Sequence, residues 1–74
     1  MAVFDPKTAE LVALSAAVAA NCIPCLRYHH AEAVKQGVTK REIQEVIRIA
    51  KMVKQRPTEE ILNVAKELVE TQAE

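Results

Sequence analysis

Apolar and polar residues recur along almost the whole chain with the period of an α-helix. Leu11, Leu14, Ser15 and Val18 fall on one face, and alanine fills most of the surrounding positions. Asp5 followed by Pro6 reads as an N-cap with proline at the first helical position, so a helix is expected from about Lys7 to Ala20. The run Asn21-Cys22-Ile23-Pro24 interrupts it, because proline suits the first turn of a helix and not its interior. A second helix is expected from Cys22 or Ile23 to about Gln36, where Gly37 can take the left-handed terminal conformation. Thr39 with Glu42 three residues later forms a capping box and opens a third helix. Its face carries Ile43, Val46, Ile47, Ala50 and Val53, widened by Ile49 and Met52. Lys54-Gln55-Arg56-Pro57 is expected to stop it. A fourth helix is then predicted from about Thr58 to Thr71, with Glu59 and Glu60 complementing its dipole. Ile61, Leu62, Val64, Ala65, Leu68 and Val69 form a stripe wider than one packed neighbour needs. The expectation is a small all-α bundle of about four helices, one domain over residues 1–74.

Composition turns this pattern into a question of core size. The 74 residues are half apolar, yet Phe4 and Tyr28 supply all the aromatic surface. A domain near 60 residues buries only about 60% of its unfolded surface, and such domains usually add disulfides, a metal or oligomerisation. Two cysteines allow one internal bridge at most. The wide stripes of the third and fourth predicted helices therefore suggest subunit contacts, and a homo-oligomer is expected. Ten basic residues balance ten acidic ones. That neutrality argues against nucleic acid and against an anionic membrane surface as partners. Leu11 to Ala20, the most apolar stretch, falls well short of the roughly 20 residues of a membrane span. The N-terminus lacks the basic and apolar regions of a secretory signal, so a soluble cytoplasmic protein is expected. In that compartment a close cysteine pair is more often catalytic or metal-binding than structural.

Cys22-Ile23-Pro24-Cys25 places such a pair at a predicted helix start. Free N–H groups and the positive dipole end favour thiolate there, and the spacing lets the sulfurs pair. His29 follows Cys25 by four residues and shares its face, where an imidazole can accept the thiol proton. This favours Cys25 as the attacking thiol and Cys22 as its resolving partner. In thioredoxin-like motifs the first cysteine attacks, so the reverse order stays open. A zinc site using Cys22, Cys25, His29 and His30 or Glu10 has the right residue types but lacks a second C-x-x-C. Two inert core cysteines are the blandest reading. Haem attachment requires His directly after the second cysteine, and Leu26 stands there. His30 reads as a surface or packing residue. Glu10 is either a solvated residue of the first helix or a carboxylate folded back on His29, and periodicity does not choose between them.

Glu10, eleven residues, Cys22-Ile23-Pro24-Cys25, three residues and His29 together resemble the E-x11-C-x2-C-x3-H signature of the alkylhydroperoxidase D-like proteins, within the carboxymuconolactone decarboxylase family. Ala31 to Gly37 and Val38-Thr39-Lys40-Arg41-Glu42-Ile43 are similar to the family's helix, glycine turn and next helix start, so the resemblance spans roughly residues 7 to 55. It implies an all-helical fold assembled as a trimer or hexamer. It implies peroxide reduction or thiol–disulfide exchange on a small-molecule peroxide or disulfide, with re-reduction by an external dithiol and no cofactor beyond the Cys22–Cys25 pair. Cys25 would attack, Cys22 would resolve, His29 would accept the proton and Glu10 would relay it. Some members carry a His between the cysteines; here Ile23-Pro24 fills the slot, so proton transfer would rest on His29 and Glu10. The alternatives are a zinc-binding or structural helical module, and an enzyme of the lactone decarboxylase branch, which does not depend on a cysteine pair.

Overall fold

The structure is a computed structural model that describes residues 2–74. Three helices follow one another: α1 (Pro6–Ala19), α2 (Ile23–Lys35) and α3 (Lys40–Thr71). The fold is all-helical among the described residues, as the hydrophobic period implies.

The helix starts are those the capping residues dictate. Asp5 accepts the Thr8 N–H at 2.7 Å ahead of Pro6. At α3 the Thr39 hydroxyl accepts the Glu42 N–H at 3.1 Å while the Glu42 carboxylate accepts the Thr39 N–H at 2.9 Å. Lys7 reaches the same carboxylate at 3.1 Å and ties the start of α1 to the start of α3.

The ends of α1 and α2 share one geometry. In α2, Gly37 takes φ 81°, its N–H bonds to the Val34 carbonyl, and the Val38 N–H bonds to the Ala33 carbonyl. In α1, Asn21 takes φ 59°, its N–H bonds to the Val18 carbonyl, and the Cys22 N–H bonds to the Ala17 carbonyl. Both are Schellman turns, and asparagine is the non-glycine residue that best tolerates the left-handed conformation.

The expected fourth helix is not separate. One helix of 32 residues runs from Lys40 through Pro57 to Thr71, so about four helices become three. Pro57 lacks the N–H that would bond the Val53 carbonyl, but Val53 is 65% exposed, so water can take that role. Lys54, Gln55 and Arg56 are good helix formers, and none is the usual N-cap that a fresh helix at Pro57 would want. The Arg56–Glu60 ion pair, 3.0 Å long, straddles the proline.

α1 is the shared partner: α2 and α3 each pack on it, while among the described residues the backbones of α2 and α3 do not approach each other. Leu14 sits at the junction, fully buried with Ala33 and Val38, and Leu11, Leu26, Ile43 and Val46 close around it. Ala17 and Ala50 are the other buried apolar residues, so small side chains let α1 and its neighbours come close. Beyond Lys54, α3 continues without burying a residue. At about 1.5 Å per residue a helix of this length spans roughly 48 Å, which accounts for a molecule measuring 59 × 27 × 20 Å.

Candidate active site

Cys22 does two local jobs. It closes the Schellman turn of α1 through its N–H, and it is the N-cap of α2, its sulfur accepting the Cys25 N–H at 3.3 Å. Pro24 occupies the first turn of α2, where its missing N–H costs nothing. Cys25 therefore lies three positions into the helix, and its Cα is 5.2 Å from that of Cys22. The two sulfurs are joined in a disulfide. Cys25 is exposed and Cys22 is half-buried.

His29 stands one turn further along α2 and is half-buried; its ring stacks parallel to that of Tyr28 with centroids 5.0 Å apart. Glu10 comes from α1, nineteen residues away in sequence, and its Oε2 lies 2.8 Å from Nδ1 of His29. Of the two expectations for Glu10, the folded-back carboxylate is the one found. An ionised carboxylate only accepts, and in the tautomer that carries its proton on Nδ1 the ring donates to Glu10 and leaves Nε2 as an acceptor. The carboxylate is 19% exposed at the side chain, which shields the contact from much of the solvent.

Cys22, Cys25 and His29 line one hollow of about 270 Å3, whose other wall is Ala13, Ala16, Ala17 and Ala20. The alanines of α1 thus have a second consequence, since larger side chains at those positions would fill this space. Three of the four candidate residues meet in the hollow, and Glu10 reaches it through His29. His30 is not with them. It is exposed and borders a separate cleft with Leu14, Ile23, Leu26, Arg27, Ile43 and Ile47. Among the described residues, no three of His, Cys, Asp and Glu converge as a metal-binding group. No described helix is long and apolar enough to cross a membrane.

Two residues near the site were not anticipated. Asn21 makes the turn that presents Cys22. Lys54, read from the sequence as part of a helix stop, donates to the Val18 carbonyl at 3.0 Å and to the Asn21 side-chain oxygen. The available signals were the tolerance of asparagine for positive φ and the position of Lys54 one turn beyond Ala50 on the packed face of α3.

Comparison with known proteins places these residues in a family context. The model of the carboxymuconolactone decarboxylase family matches residues 2–67, which takes in α1, α2 and most of α3. No curated protein matches the chain, and no solved structure matches it.

Proposed function

Because the chain belongs to the carboxymuconolactone decarboxylase family, we propose that it is a thiol-dependent oxidoreductase of the alkylhydroperoxidase type, reducing peroxides or disulfides through Cys22 and Cys25. The observation that carries this reading is the Glu10–His29 contact beside a cysteine pair that shares a hollow with the same histidine. A helix packed only for stability has no need of a carboxylate reaching across to orient an imidazole next to two sulfurs.

The chemistry follows from that arrangement. In the reduced protein, His29 takes the thiol proton of Cys25 on Nε2 while Glu10 stabilises the resulting imidazolium. The positive end of the α2 dipole favours the thiolate. Cys25 attacks the distal peroxide oxygen, the O–O bond breaks, and the alcohol leaves with the proton from His29. Cys25 is then a sulfenic acid. The Cys22 thiol displaces its hydroxyl as water and forms the Cys22–Cys25 disulfide. An external dithiol reduces the disulfide and leaves as its own disulfide. No metal or organic cofactor enters the cycle, and a reducing cytoplasm is the compartment that would supply the dithiol.

The working form is a homo-oligomer. A compact folded chain of this mass exposes about 4,500 Å2, whereas this chain exposes 6136 Å2. Its radius of gyration is 17.5 Å, against about 11 Å for a compact domain of this length. The surplus surface, roughly 1,600 Å2, is twice what one partner contributes to a standard interface. Much of it lies on α3, where Ile61, Leu62, Leu68 and Val69 are each more than 60% exposed. A trimer or hexamer burying these residues would complete the missing core.

The test is steady-state turnover of an organic hydroperoxide with a small dithiol as reductant, across a set of single variants. Cys25→Ser should abolish turnover, His29→Gln should slow the thiol step by about 10²–10⁴-fold, and Glu10→Gln should do less. Wild-type rates in Cys25→Ser, or near-stoichiometric zinc held by Cys22 and Cys25 in protein purified without chelator, would overturn the proposal.

A further inference from the structure

Cys22 borders a second hollow that the peroxide chemistry does not use. Its volume is about 280 Å3, and its lining is Ala17, Val18, Asn21, Cys22, Ile23, Leu26 and Lys54. Neither Cys25 nor His29 is among these residues, so Cys22 borders both hollows and Cys25 borders one. The walls are apolar apart from Asn21 and the Lys54 ammonium.

That ammonium is held in place. Two of its contacts are the Val18 carbonyl and the Asn21 side-chain oxygen, at the C-terminal end of α1. A cation suits that end of a helix, where unpaired carbonyls gather. An ammonium has three donors, and among the described residues no carboxylate pairs with this one. A positive charge therefore borders an apolar hollow that one cysteine of the disulfide, Cys22, also lines.

We propose that this hollow is the subsite for the reductant, that the reductant is an anionic thiol such as a carboxylate-bearing dithiol, and that Lys54 is the residue that selects it. The proposal rests on the redox reading of Cys22 and Cys25. Thiol–disulfide exchange needs the attacking sulfur to approach one disulfide sulfur opposite the leaving one, and this hollow borders Cys22 without bordering Cys25. The reductant thiolate attacks Sγ of Cys22. The Cys22–Cys25 bond breaks, its electron pair leaves on Cys25, and Cys25 is protonated from His29 or solvent. The second thiol of the reductant then displaces Cys22, so the protein regains two thiols and the reductant leaves as a disulfide. Oxidant and reductant would use different hollows, and the two half-reactions would not compete for one space.

The experiment starts from the oxidised protein and uses three small monothiols as probes: mercaptoacetate, 2-mercaptoethanol and cysteamine. The rate of disulfide reduction is read by quenched alkylation and mass spectrometry for wild type, Lys54→Met and Lys54→Arg. Comparing the same probes across variants cancels their intrinsic reactivity. Lys54→Met should lower the mercaptoacetate-to-mercaptoethanol rate ratio by about fivefold, the size of a partly exposed ion pair, and Lys54→Arg should keep it within about twofold. About 0.5 M salt should shrink the wild-type ratio toward the Lys54→Met value. The cysteamine ratio should move the opposite way. An unchanged ratio in Lys54→Met, or an equal fall for all three probes, would overturn the subsite, the latter by revealing a purely positional role through Asn21. Should Lys54→Met fail to fold by circular dichroism, the salt response of wild type decides: a salt-independent ratio overturns the proposal. No peroxide is involved, so a chain inactive toward peroxide would still report on Lys54, and a failed subsite would leave the peroxide reading standing.

Discussion

Residues 6–54 and residues 55–71 carry the same kind of pattern, apolar positions at helical spacing, and meet opposite fates. In the first region the pattern is mated. α1 lies against α2 and against the start of α3, and Leu14, Ala17, Ala33, Val38 and Ala50 are buried. In the second region no residue is buried, although Ile61, Leu62, Val64, Leu68 and Val69 repeat the spacing. The difference teaches that periodicity specifies a helix and a face but not what covers the face. It also separates two tasks. The packed region builds the cysteine–histidine–glutamate arrangement within one chain, and in the proposed oligomer the projecting region would contact other chains.

The largest effect should come from the packed side. Among the described residues, Leu14 is the only large side chain with no exposure at all. Leu14→Ala should cost about 2–5 kcal/mol and lower the thermal midpoint by at least roughly 10 °C, measured by circular dichroism. A shift of a degree or two would mean that the core lies elsewhere. Next comes the link between the regions. If α3 is continuous, Pro57→Ala should stabilise the helix by up to about 3 kcal/mol, seen as a raised thermal midpoint. A negligible gain would indicate a break at Pro57, and the two regions would be separate helices. Third, Leu68 is 66% exposed in the single chain. Leu68→Ala should raise the subunit dissociation constant by about tenfold in sedimentation equilibrium, if it loses most of a buried leucine's contribution of roughly 1.5–3 kcal/mol. An unchanged constant would leave the projecting region without a partner.

The smallest effect is acid sensitivity, and it belongs to the packed region. Bonds from the Thr8 backbone and side chain, in that order, hold the Asp5 carboxyl below its ordinary range. The Thr39 N–H, then Lys7, does the same for Glu42, and Arg48 does it for Glu45. A carboxylate depressed in the folded state adds stability that is fully present above its unfolded pKa and lost as pH falls through its folded one. Helicity should therefore hold from neutral pH to about 5 and begin to fall below about 4, starting at the entries to α1 and α3. Loss beginning near pH 6 would point to another group.

Local features were legible in the chain because their causes are local. Asp5-Pro6, Thr39 with Glu42, and Gly37 act on neighbours within one turn, and each helix start or end lies where they imply. The site was legible in part. Spacing put Cys25 and His29 on one face, but the Glu10 contact joins two helices and no periodicity could select it. Pro57 misled because its local cost is real, yet it falls where Val53 is exposed and the flanking residues are good helix formers. Lys54 escaped notice because its role appears only when α3 lies against the end of α1.

The proposed function requires Cys22 and Cys25 to work as one redox pair. Fully reduced protein should be mixed with one equivalent of an organic hydroperoxide per chain and its free thiols counted before and after. Both thiols should disappear together, with the peroxide consumed one for one and the Cys22–Cys25 disulfide as product. Two thiols persisting in the presence of unconsumed peroxide would contradict it.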